Sequence, residues 1–156
     1  MTEDIRLREV RDEDVPVFYL HQSEPEACRM AGFPAREEEV FTTHWEKIRR
    51  DSSNVLRTIV RDEEPVGNVV SFVMGEERQV GYWIGQAHWG QGIATRALGQ
   101  FLKDVTERPL YAYAAKQNAG SARVLAKCGF VKRRKGHEED GVAFVLECST
   151  VETTGR

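Results

Sequence analysis

"HWGQGIATRAL", residues 88–98, sets Gly90 and Gly92 two positions apart at the threshold of a helical pattern. Glycine costs about 1 kcal/mol against alanine inside a helix, so a pair at the entrance needs a reason. The first amides of a helix have no partner within it, and the helix dipole adds about half a positive charge there. Without a Cβ, a glycine lets phosphate oxygens reach those amides. The main-chain atoms of Gly90, Gln91, Gly92, Ile93, Ala94 and Thr95 are therefore candidates to cradle a phosphate or pyrophosphate. Two familiar phosphate loops are excluded. No Gly-Lys-Ser/Thr follows, and the third glycine of G-x-G-x-x-G would fall at Thr95. A tight strand-to-helix turn with no ligand would produce the same short pattern.

Working outward, the helix after the glycines carries Ile93, Ala94, Ala97, Leu98, Phe101, Leu102 and Val105 on one stripe and stops before Pro109. Upstream, Val55 to Arg61, Val66 to Met74 and Gln79 to Gly85 read as three antiparallel strands. They are joined by turns at Asp62-Glu63-Glu64-Pro65 and Gly75-Glu76-Glu77. Gly81 and Gly85 are expected bulge or exit points. Ile5 to Arg8 is a short first strand, and Asp12 is placed to cap a helix bearing Val15, Phe18 and Tyr19. Residues 22–34, with Pro25, Gly32 and Pro34, read as loop with room for a short helix. Val40, Phe41, His44, Trp45 and Ile48 outline an amphipathic helix from Arg36, with His44 expected to pack. Downstream come a strand from Leu110 to Ala115 and a helix from Ser121 to Cys128 closed by Gly129. Strands from Phe130 to Arg134 and Val142 to Cys148 follow, around a turn at Gly136 to Gly141, then a polar tail from Ser149. The order predicts one α/β domain over residues 1–148 and a tail over 149–156. The domain has a mixed, mostly antiparallel sheet of six to seven strands flanked by about four helices.

The 156 residues, 40% apolar and 30% charged with a formal charge of -3, suit one soluble domain. That balance speaks against nucleic-acid binding through bulk positive charge. The run Lys132-Arg133-Arg134-Lys135 is followed at once by Glu138, Glu139 and Asp140. Met1 to Val10 has no signal-peptide apolar core, and no run approaches the roughly 18 residues that span a bilayer. Cys28, Cys128 and Cys148 share no C-x-x-C spacing and fit a reduced, cytoplasmic setting. No His, Cys, Asp and Glu set has metal-ligand spacing, so no metal is expected.

A second constellation, "NAGSARVLAKCGFV" at residues 118–131, lies one strand beyond the first. With "GNVV" and "VGYWIGQAHWGQGIATRAL", it makes the chain resemble the GCN5-related N-acetyltransferases (GNAT family). The resemblance runs from about Ile5 to Glu147. Within the family it is similar to the branch of ribosomal-protein and N-terminal-amine acetyltransferases. The resemblance implies acetyl-coenzyme A as acyl donor and an amine as acceptor. Gly92 and Ala94 match the family's pyrophosphate loop, while Trp89 departs from its usual Arg or Gln.

It also implies that Gln79 to Gly85 splays from Leu110 to Ala115 to admit the thioester. A free amide near Trp83 or Ile84 would then meet the carbonyl oxygen. Asn118 would hold the pantetheine arm or the nearby backbone, and Ser121 would lie by the sulfur and could protonate it. Each has a plainer reading: Asn118 as an N-cap, Ser121 as a first-turn residue, and Tyr82 and Trp83 as core or pocket wall.

Gln79 stands where the branch often has a glutamate base, and Leu125 where many relatives have a tyrosine acid. Glu76, Glu77, His88 and His137 remain possible substitutes through water. Candidate catalytic positions are thus Ser121, Gln79 and Trp83, with positioning expected to supply most of the rate. Glu24, Glu26, Glu37, Glu38 and Glu39 fall in the region expected to meet the acceptor, though a solvated helix face explains them too. Exposed strand edges make a homodimer plausible. A non-catalytic acyl-coenzyme A binding or sensing module is the alternative function, and an interaction domain that merely keeps the fold is a third.

Overall fold

The computed structural model describes residues 5–32, 34–133 and 141–147. The strands are β1 (Ile5–Glu9), β2 (Val55–Arg61), β3 (Glu64–Met74), β4 (Glu77–Ile84), β5 (Leu110–Ala115), β6 (Val131–Lys132) and β7 (Gly141–Leu146). The helices are α1 (Asp14–Gln22), α2 (Pro25–Ala31), α3 (Glu38–Arg50), α4 (Ile93–Asp104) and α5 (Ala119–Lys127), with a 3-10 turn at Gln86–His88. The seven strands form one sheet in the order β1-β2-β3-β4-β5-β7-β6. All pairings are antiparallel except β4 with β5.

Strand alternation gives the sheet two apolar faces. Val69, Val80, Ile84, Leu110, Ala112 and Phe144 meet Ile93, Leu98, Phe101 and Leu125 of α4 and α5 in the larger core. On the other face Val15, Phe18, Phe41 and Trp45 form a second cluster against Leu56 and Val70. The Phe18 and Trp45 rings lie 4.9 Å apart there.

The short helix for which residues 22–34 left room is α2, Pro25–Ala31, with Pro25 in its first turn, where a missing amide costs little. Several other expectations are corrected. Asp12 caps nothing; its carboxylate goes to Arg49 at 2.9 Å. α1 starts instead at Asp14, drawn inward by Arg8 and Thr58. The hairpin after β2 turns on only Asp62 and Glu63, both at positive φ, and Glu64 and Pro65 already pair in β3. Gly81 is not a bulge, because the β3/β4 register runs unbroken past it. Gly85 does mark the exit of β4, and a Cβ there would come within 2.7 Å of the His21 ring.

On α3 the packed residues are Phe41 and Trp45, while Val40 and His44 face outward. A stripe at i, i+4 and i+7 leaves no room for their neighbours at i−1 and i+3. Val105 lies just beyond α4 yet stays buried. Cys128 is only half-buried. Arg134, His137, Glu138, Glu139, Asp140, the rest of the expected turn, Cys148 and the tail lie outside the described residues.

Candidate functional site

β4 and β5 run parallel but share a single register pair, Gln79 with Tyr111. Beyond that apex they part. The Gly85 amide donates to the Val66 carbonyl at 2.9 Å, which fixes the alternation of β4. Odd-numbered amides, Trp83 included, therefore point to β3, and those of Tyr82 and Ile84 point into the gap. Of the two residues expected to offer a free amide, Ile84 has the favourable side. Its carbonyl accepts the Trp89 indole N–H at 2.9 Å, so Trp89 folds back along the gap.

The gap widens into a cavity of about 710 Å³. Trp83, Ile84, Gly90, Gly92, Ile93, Ala94, Thr95, Asn118 and Ser121 all border it, so two motifs separated in the sequence by a whole strand meet in one space. Gln79 sits at the apex and is not among the lining residues.

The entrance of α4 is shaped by backbone sign. Gly90 and Gly92 have φ of +77° and +76°, a region that favours glycine, and nothing lies within 4 Å of where their Cβ atoms would be. The first amide of the helix with a main-chain acceptor is that of Arg96, which reaches the Gly92 carbonyl at 3.2 Å. Ile93, Ala94 and Thr95, whose amides precede it in the first turn, all border the cavity. Side chains hold this loop from behind. Arg61 of β2 donates to the Gln91 side-chain oxygen and, at 2.7 Å, to His88 Nδ1. A guanidinium can only donate, so that ring nitrogen carries the lone pair and the histidine proton sits on Nε2. The Gln91 side chain is thus spent on Arg61, and Gln91 is not among the residues that border the cavity.

Asn118 caps α5: its Oδ1 accepts the Ser121 amide at 3.0 Å. That turns Ser121 toward β4, where its hydroxyl lies 2.8 Å from the Tyr82 hydroxyl. Burial pushes the Tyr82 phenol up to about 12, against the opposing pull of the Ser121 hydrogen bond, so it stays protonated. Leu125 is fully buried in the larger core and offers nothing polar. Among the candidate bases, Glu77 is engaged by the Tyr113 hydroxyl and by Arg133, each at 3.2 Å.

Residues not singled out as binders also border the cavity. Arg123 and Lys127, one turn apart on α5, place two cations on its rim. Their i, i+4 spacing after an N-cap was the available signal. α2 contributes Ala27, Met30 and Ala31 and crosses the mouth like a bar. At one end Glu24 takes the Gln86 amide at 2.9 Å, just past β4; at the other Gln117, just past β5, donates to the Arg29 carbonyl at 2.8 Å. Among the described residues no group of three His, Cys, Asp or Glu side chains is placed to hold a metal ion. No helix there is long and apolar enough to cross a membrane.

Residues 4–131 match the family model described as an acetyltransferase (GNAT) domain. No curated protein matches the sequence. Solved structures share the architecture at low identity. Spermidine N-acetyltransferase from Vibrio cholerae, in complex with CoA and spermine, is 15% identical with a TM-score of 0.80, over 93% of this chain and 96% of that one. Aminoglycoside acetyltransferase AAC(6')-Ib, in complex with coenzyme A, is 14% identical with a TM-score of 0.82, over 98% and 100%. A domain from Methanocaldococcus jannaschii DSM 2661 is 20% identical with a TM-score of 0.79, over 94% and 99%.

Proposed function

Since the chain belongs to the GNAT acetyltransferase family, we propose that it moves an acetyl group from acetyl-coenzyme A to a primary amine. The observation that carries the reading is the parted strand pair opening onto the glycine-bearing entrance of α4.

In this reading the amides of residues 90–95 hold the pyrophosphate, and Arg123 and Lys127 draw in the remaining phosphate charge. The pantetheine arm runs along β4 beside Ile84. The Ile84 or Tyr82 amide donates to the thioester oxygen as it gains charge. Ser121 lies at the sulfur end, and Asn118 fixes it there. The amine attacks in its neutral form. A lysine-type ammonium, with pKa near 10.4, must first lose a proton. With Gln79 at the apex and Glu77 already engaged, water in the cavity takes it, so orientation supplies most of the rate. The acceptor is the amine of a small molecule, a peptide or a protein. Within the family we place the chain beside the ribosomal-protein and N-terminal-amine branch. The same reading sets it in a reduced, cytoplasmic location as a possible homodimer, without metal, nucleic acid or membrane.

A free-thiol assay with acetyl-coenzyme A and a panel of spermidine, kanamycin and short peptides with free N-termini tests the reading. Thiol release that depends on one of these amines is expected. Gly92→Val should weaken acetyl-coenzyme A binding by at least about tenfold while circular dichroism stays native, because a β-branched residue resists positive φ. Tight cofactor binding with no turnover on any amine would instead favour a sensing module.

A further inference from the structure

We propose that Tyr82 is a positioning residue for the acyl transfer: its phenol donates to the Ser121 oxygen and so leaves the serine hydroxyl proton free to face the departing sulfur. This rests on the acetyl-transfer reading above and adds to it the residue that orients the donor.

The argument starts from what each group can do. Ser121 has one proton and two lone pairs. Its amide is already committed to Asn118. Its hydroxyl has Tyr82 as neighbour at 2.8 Å, and either oxygen could donate. The Tyr82 alternative is the Ser121 carbonyl at 3.4 Å, well beyond the usual length for a hydroxyl donor. A phenol is a better donor than an aliphatic hydroxyl, so the short contact is best made from Tyr82 to Ser121. Burial keeps that phenol protonated through the neutral range.

The pair then has one unspent proton, on Ser121, and both side chains border the cavity between β4 and α5. Leu125, one turn further along α5, is apolar and buried, and Val124 beside it also borders the cavity with an apolar side chain. The Tyr82 and Ser121 hydroxyls are thus a polar contact between β4 and α5 on the wall of the gap.

The chemistry balances without net change in the pair. The amine nitrogen forms the C–N bond with its lone pair, and the C–S bond breaks with its electrons on sulfur. Ser121 hydrogen-bonds to the thiolate as charge develops, while Tyr82 holds the serine oxygen. Nitrogen sheds one proton to water on becoming an amide, and sulfur takes one on becoming a thiol.

The test compares Tyr82→Phe, Ser121→Ala, Ser121→Thr and the Tyr82→Phe/Ser121→Ala double variant in the thiol-release assay. A hydrogen bond to a charged group corresponds to a loss in kcat of about tenfold or somewhat more. Tyr82→Phe should show that loss with KM for acetyl-coenzyme A within about twofold and an unchanged melting temperature. Ser121→Ala should lose at least as much, the double variant no more than Ser121→Ala, and Ser121→Thr should retain most activity. Unchanged kcat in a well-folded Tyr82→Phe overturns the inference. So does a loss explained by acetyl-coenzyme A affinity, or single effects that multiply in the double variant. A wild-type protein inert toward every panel amine removes the acetyl-transfer reading itself, and this inference with it.

Discussion

The Asp14 carboxylate, fully buried, accepts four hydrogen bonds. Two come from Arg8 at 2.7 and 3.0 Å, one from the Arg11 amide at 2.8 Å and one from the Thr58 hydroxyl at 2.7 Å. Burial alone would push this carboxyl up, but the hydrogen bonds and the Arg8 charge outweigh it and hold the group below the ordinary carboxylate range. A depressed carboxylate stabilises the fold above its unfolded pKa of about 3.9 and loses that contribution as pH falls toward its folded value. The melting temperature should therefore stay level from pH 8 to about 5 and drop below about 4, and Asp14→Asn should flatten the acid limb. Asp14→Ala leaves the partly exposed Arg8 without its partner and should cost about 3 kcal/mol, measured by urea unfolding. Nothing in the sequence distinguished Asp14 from Asp12 beside it. Only the three-dimensional meeting of β1, β2 and α1 does so.

Among the elements, α2 is the one the sequence left open. Its seven residues are too few to show a helical period, and two prolines and a glycine flank or enter it. What makes it a helix is tertiary: Ala27 and Cys28 are buried, and both ends are tied across the gap. Glu24→Ala removes the tie at the β4 end. Hydrogen–deuterium exchange should then quicken at Gln86 and through residues 25–31, with little change in β2 or β3. Equal protection in the variant would mean that packing alone fixes α2. By contrast, α4 and the three-strand meander were legible because each is long enough to display its period. The glycines ahead of α4 were legible too, although the structure adds a reason the sequence could not give, their positive φ. The Tyr82–Ser121 contact was not legible, since it joins residues 39 apart whose spacing follows no rule.

At the scale of the molecule, one sheet carries two cores and a seam where β4 parts from β5. A ligand that binds only the folded chain stabilises it by mass action, by about 2.7 kcal/mol at 100 times its Kd. Saturating acetyl-coenzyme A should accordingly raise the melting temperature by about 5 to 10 °C, and the gain should vanish in Gly92→Val. A scanning-fluorimetry titration reads both. The larger core should be the costliest place to cut: Phe101→Ala, wholly buried against the sheet, should lose about 3 to 5 kcal/mol in urea unfolding.

The unzipped end of the sheet carries a warning for anyone who would harden this protein. Bridging the two parallel strands with an extra ladder would recover main-chain bonds and improve its resistance to heat. In the acetyl-transfer reading proposed above, it would also seal the slot through which the acyl chain enters. Here the most obvious stabilising repair is the one that would silence the molecule, and screens scored on melting alone would select it.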